Sequence, residues 1–261
     1  MASCRSAILP IFRAQYYVII LRGPSVQRTM LRKLFVSLVL ATSATVLLAN
    51  QANATQTMSQ EAQASTRRLV IIGASYAGEW GAPQLPGFEV INKGVDGEES
   101  TQVRARFERD VIALEPDAVL IWGHYNDIVR TPAEQAEQAK ARARENYREM
   151  IAAAKRAGIE PMLVTEITLP IPDTWTETLM SWIAGLLGKQ DYRSRVNGHI
   201  KEVNEWLREL ARTEQIALLD LERALDSGNG TRRLEYTRDD GSHVSPAGYA
   251  AITEYARTQL R

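Results

Sequence analysis

Five short, mostly apolar runs, separated by stretches with helical spacing, constrain this chain more than any other feature. They are residues 69–73 (Leu-Val-Ile-Ile-Gly), 88–92, 118–122 (Ala-Val-Leu-Ile-Trp), 161–165 and 216–220. A continuous apolar run of this length suits a strand covered on both faces, because a solvated face would call for polar residues at alternate positions. Between the runs, Val103, Phe107, Val111 and Leu114 recur at helical spacing and predict one amphipathic helix. Thr131-Pro132-Ala133-Glu134 reads as a capping box with proline at the first helical position, and Gly158 marks the end of that helix. Ile200, Val203, Leu207 and Leu210 predict a further helix, and Ser245-Pro246 opens the last one. Strands alternating with helices predict one open parallel α/β sheet with helices on both faces. In such sheets ligands bind beyond the C-terminal strand ends.

Composition narrows the function. Lys+Arg and Asp+Glu each number 31, but residues 1–54 hold six basic groups and no acidic one. The remaining 207 residues therefore carry 25 basic and 31 acidic groups, a net charge of −6. That argues against nucleic acid as a partner. The single cysteine, Cys4, excludes a disulfide framework and a cysteine-based zinc site.

The basic front end has the three parts of a secretory signal peptide. Met30-Leu-Arg-Lys is followed by an apolar run over 34–48 and by Ala52-Asn53-Ala54, an A-x-A cleavage pattern. The expectation is a start at Met30, cleavage after Ala54, and a periplasmic or secreted protein. The apolar run falls short of the roughly 20 residues of a membrane span, so no stable span is expected after cleavage. Residues 55–66 read as a disordered lead-in and 67–261 as a single domain.

Four places carry chemistry. Gly73-Ala74-Ser75-Tyr76 directly follows the first strand, where a serine in a tight strand-to-helix turn has an exposed hydroxyl beside backbone N–H groups. A helix N-cap serine would occupy the same place. Asn92-Lys93-Gly94 follows the second strand, and a glycine there lets an N–H approach a ligand. Asn126, after the third strand, offers an amide to a developing oxyanion or closes an Asx-turn. In the late loop, Asp240 stands three residues before His243, so the carboxylate can accept Nδ1–H and leave Nε2 as a base. No metal site is expected, because His124, His199 and His243 are scattered.

Together these blocks resemble the SGNH, or GDSL-type, hydrolase superfamily over essentially the whole of 67–261. The resemblance implies a three-layer α/β/α, flavodoxin-like fold with a five-stranded parallel sheet. It implies Ser75 as nucleophile, His243 as base and Asp240 as its partner. It implies an oxyanion hole from Ser75, Gly94 and Asn126, an acyl-enzyme intermediate, and no cofactor or metal. Ala74 and His124 stand where the family has aspartate and glycine. An α/β-hydrolase is disfavoured, since Gly73-Ala-Ser75-Tyr-Ala77 lacks the last glycine of Gly-x-Ser-x-Gly.

The expected substrates are carboxylic esters: a small molecule, a lipid or an acylated saccharide. Lysophospholipase, thioesterase, polysaccharide O-acetylesterase and O-acetyltransferase activities share the same residues. A carbohydrate- or partner-binding domain shares the fold. Residues 174–188 place Trp175, Leu179, Trp182 and Ile183 at helical spacing after the fourth strand. They read either as an apolar, substrate-facing lid or as a helix packed on the sheet.

Overall fold

The computed structural model describes residues 66–171 and 191–260, together with Gln51. The leader-like stretch at 30–54 and the apolar segment at 174–188 lie outside the described residues, except Gln51.

Five strands form one parallel sheet in the order β2-β1-β3-β4-β5. They are β1 (Arg67–Gly73), β2 (Phe88–Gly94), β3 (Ala118–Trp122), β4 (Glu160–Val164) and β5 (Ala217–Leu219). Alternating side chains leave the sheet on opposite sides. Leu69 and Ile71 join one buried cluster, and Val70 and Ile72 join another. Both faces are therefore covered, and the result is a three-layer α/β/α fold. A fully buried side chain of this kind contributes roughly 1.5–3 kcal/mol, which commits the sheet to both layers.

The helices are α1 (Ser75–Trp80), α2 (Ser100–Ala105), α3 (Phe107–Asp110), α4 (Tyr125–Val129), α5 (Ala136–Arg156), α6 (Tyr192–Glu214), α7 (Leu221–Ala224) and α8 (Pro246–Gln259). In α6, Ile200, Val203 and Leu207 are fully buried, as their spacing predicts. Ser245 caps α8, its Oγ accepting the Gly248 N–H at 3.2 Å with Pro246 in the first turn.

Two local expectations fail. The helix expected through Val103 and Leu114 is broken at Arg106, which lies outside helical geometry (φ −103°, ψ 4°). The Arg106 side chain is buried and reaches back to the Gly73 carbonyl at 3.0 Å, with Glu98 and Asp110 as its ion pairs. The capping box at Thr131–Glu134 does not form either. A 3₁₀ turn occupies 133–135, and α5 begins at Ala136 without a side-chain cap. A reciprocal capping box forms instead between Glu99 and Gln102 at the start of α2.

The order 2-1-3-4-5 reverses direction beside β1. A crevice opens there at the carboxyl ends of β1 and β3.

Candidate active site

β1 is clamped between β2 and β3, and it delivers Ala74 as the N-cap of α1 in an extended conformation. Ser75 is thus the first helical residue and not the cap. Its hydroxyl is left for other work, and Ser75 lines a cavity of about 770 Å³. That volume lies within the roughly 300–1,000 Å³ usual for small-molecule sites. Asn126, Asp240 and His243 line the same cavity.

The late loop is built around one carboxylate. Asp240 Oδ1 accepts the N–H groups of Ser242 and His243, both at 2.8 Å, and Oδ2 lies 2.8 Å from His243 Nδ1. The backbone N–H groups of His243 and Ser242 hold the Asp240 carboxyl down at about 2, so it is an anion at any working pH. An anion can only accept, so Nδ1 carries the proton and Nε2 is left basic.

Neighbours of the two key residues tie their elements together. The Tyr76 hydroxyl donates to the Ser242 carbonyl at 2.8 Å. Arg232 Nη2 donates to the same carbonyl at 2.6 Å, and the Tyr249 hydroxyl donates to the Tyr76 carbonyl at 3.1 Å. The Tyr76 ring meets the His243 ring edge-on at 6.3 Å. Ser75 and His243 themselves make no direct hydrogen bond, and such contacts commonly tighten only when substrate binds.

Asn126 begins the first turn of α4 and donates through Nδ2 to the Glu98 carbonyl at 2.8 Å. Its second amide hydrogen is not used by that bond. The loop ahead of it rests on Glu166, whose Oε1 accepts the N–H groups of His124 (2.9 Å) and Tyr125 (3.2 Å). Glu166 Oε2 accepts Trp122 Nε1 at 3.0 Å. His124 is fully buried against Tyr147, and burial drives its pKa down to about 3. A neutral core histidine is therefore what occupies the position where the family has glycine.

Gly94 does not stand where the sequence suggested. Its N–H donates to Asn92 Oδ1 at 2.7 Å, and the Asn92 amide in turn donates to the carbonyls of Ala77 and Gly81. The glycine is required for close packing, because an added Cβ would lie 2.1 Å from the Gly78 nitrogen in α1. Gly97, three residues on, lines the cavity and has φ +76°. Among the described residues, nothing accepts its N–H. Gly97 shares the wall with Ser75, and glycine in a turn after the second strand was the only sequence signal for it.

Trp175, Leu179, Trp182 and Ile183 lie outside the described residues. Among the described residues, one group has metal-ligand chemistry: Glu137, His199 and Glu202. The Lys140 ammonium already binds both carboxylates, at 2.6 Å from Glu137 Oε1 and also on Glu202, so the group is an ion-pair cluster on α5 and α6.

Two buried carboxyls beneath the site make stability depend on pH. Burial pushes Glu166 up to about 7 and Asp127 up to about 6. A carboxyl raised by folding favours the native state when protonated. Its contribution is complete below the ordinary carboxylate value and is lost as pH rises through the raised one. The Tm should therefore decline between about pH 5 and 8, and Glu166→Gln should flatten part of that decline. Thermal unfolding of both proteins across the range measures it, and an unchanged slope in the variant would exclude Glu166 as the source.

The chain matches the family model of the GDSL-like lipase/acylhydrolase family over residues 70–251. A search of curated proteins gives no significant match. Among solved structures, a protein described as an acylhydrolase from Bacteroides fragilis is 26% identical, with a TM-score of 0.55 over 75% of this chain and 88% of that one. A GDSL-like lipase from Bacteroides thetaiotaomicron is 21% identical, with a TM-score of 0.56 over 78% and 95%. An acetylxylan esterase from Geobacillus stearothermophilus is 18% identical, with a TM-score of 0.55 over 75% and 94%. The last two likenesses are of fold.

Proposed function

Because this chain belongs to the GDSL-like lipase/acylhydrolase family, we propose that it is an exported serine esterase that cleaves carboxylic esters through Ser75, His243 and Asp240. The observation that carries the reading is the 2.8 Å contact from Asp240 to His243 Nδ1 on the wall of the cavity that Ser75 also lines.

In this mechanism His243 Nε2 takes the proton as Ser75 Oγ attacks the ester carbonyl. Asp240, already anionic, stabilises the imidazolium that forms. The oxyanion is held by the N–H groups of Ser75 and Gly97 and by the free hydrogen of the Asn126 amide. Gly97 replaces Gly94 here, because Asn92 occupies the Gly94 N–H. One such donor is typically worth about 3–4 kcal/mol in the transition state. Collapse of the tetrahedral intermediate expels the alcohol with the proton from His243. Water, deprotonated by the same imidazole, then releases the acid and restores Ser75. None of these steps draws on a metal or cofactor.

Export rests on the leader-like stretch at 30–54 and on the absence of cysteine after Cys4, which suits an oxidising compartment. No described helix is long and apolar enough to cross a membrane.

A fluorophosphonate probe separates the esterase from a binding domain on the same fold. Covalent labelling should map by peptide mass spectrometry to Ser75. Protein that stays unlabelled under conditions where ester substrates are also untouched would remove the catalytic reading.

A further inference from the structure

Arg130 and Arg193 line the same cavity as Ser75 and His243. They approach the catalytic residues from two sides. Arg130 follows α4 and donates through Nη1 to the Gly97 carbonyl. A Cβ placed on Gly97 would lie 3.0 Å from its Nη2, so this guanidinium sits against the turn after β2. Arg193 is in the first turn of α6 and donates through Nη1 to the Pro170 carbonyl at 3.1 Å. A Cβ placed on Gly241 would lie 3.3 Å from its Nη2, so this guanidinium sits against the loop that carries Asp240 and His243.

Neither arginine has a carboxylate partner among the described residues. Each donates to a backbone carbonyl, which orients the guanidinium and, among the described residues, leaves its charge without an anionic partner. A guanidinium has five N–H donors in a planar fork, and one bond leaves most of them available. This contrasts with Arg106, which is bound to two carboxylates, and Arg208, which is bound to three. Two carboxylates also line the cavity. Asp240 is taken up by His243 and two backbone N–H groups. Asp96 faces α1, with Oδ1 3.6 Å from a Cβ placed on Gly78, and is not ion-paired with either arginine. Residues 55–261 carry a net charge of −6, so the two cavity cations do not reflect a basic composition of the chain.

We propose that Arg130 and Arg193 form a specificity subsite for an ester that carries an anionic oxygen group, a carboxylate or a phosphate, beside the scissile bond. This deepens the esterase reading and rests on it. Planar forks of this kind match the oxygen pair of a carboxylate or phosphate, whereas an uncharged acyl chain would leave both charges unpaired.

The test uses the full chain and two matched pairs of substrates. Mono-p-nitrophenyl adipate against its methyl ester puts the charge on the acyl side. 4-Acetoxybenzoate against its methyl ester puts it on the alcohol side. The readout is the ratio of kcat/KM for the anionic and neutral members of each pair, so a general loss of activity does not affect it. At least one pair should favour the anion by about tenfold at low salt. The preference should shrink with added salt, fall toward unity in Arg193→Gln and Arg130→Gln, and survive in part in Arg130→Lys. Ser75-dependent hydrolysis with a ratio near unity in both pairs, unchanged in the variants, would overturn the subsite and leave the esterase standing. No hydrolysis of any of the four esters would remove the esterase reading and the subsite with it.

Discussion

Ser75→Ala should lower turnover of p-nitrophenyl esters by on the order of 10⁴-fold or more. The loss should appear in kcat, since the hydroxyl supplies the bond that forms and the rest of the cavity is retained. The fold should hardly notice. The cap of α1 is Ala74, so the Ser75 side chain satisfies no helix end. Alanine is the better helix former, and the melting temperature should remain within about 2 °C of the parent. Steady-state kinetics beside a thermal melt give both numbers. A variant retaining more than about one hundredth of the parent rate would mean that the reaction does not pass through Ser75. An inactive variant that has also lost its melt would say nothing of chemistry, which is why the two measurements belong together.

Gly94→Ala should instead break the fold. The added Cβ would stand 2.1 Å from the nitrogen and 2.4 Å from the Cα of Gly78, and 2.7 Å from the carbonyl carbon of Ala77. All three atoms are backbone, so no rotamer change relieves the clash. Helix α1 would have to lift from β2, at a cost of about 3 kcal/mol or more. For a domain of this size that corresponds to a Tm lower by roughly 6–12 °C, or to no folded protein. Activity would fall as a consequence, because Ser75 rides on α1. Gly97→Ala meets a different obstacle. Its nearest neighbour is the flexible end of Arg130 at 3.0 Å, and its φ of +76° is unfavourable for alanine by about 1–2 kcal/mol. That variant should fold and lose mainly kcat. Circular dichroism melts and ester kinetics on both variants distinguish the two roles. A Gly94→Ala protein that melts like the parent and loses only kcat would return the oxyanion role to Gly94.

The strands were legible because burial on both faces leaves a dense local signature. β3 occupies Ala118–Trp122 as its apolar run predicts. β1 extends two residues further back through Arg67 and Arg68, and β2 runs on to Gly94, since a strand end needs only backbone pairing and not an apolar side chain. The break at Arg106 left no such signature. Arginine is ordinarily a surface residue, and its attachment to the Gly73 carbonyl spans 33 positions. The same holds for Glu166, which meets the Asn126 loop 42 residues away. Tyr76 reaches Ser242 across 166 positions.

The sequence by itself determined the layered α/β class and pointed to the residues proposed for ester chemistry. Those properties depend on side-chain type and on separations of a few residues. Asp240 and His243 are three positions apart, and a turn suffices to join them. Tertiary structure alone decided which N–H groups near Ser75 are free, which buried carboxyl supports the loop ahead of Asn126, and which cations face the cavity. Each of these depends on partners from different strands. Asn92 takes the Gly94 N–H only because α1 packs against β2 closely enough to bring the Ala77 and Gly81 carbonyls to the Asn92 amide. Hydrogen-bond satisfaction depends on proximity in space, which the fold creates between residues remote in the chain.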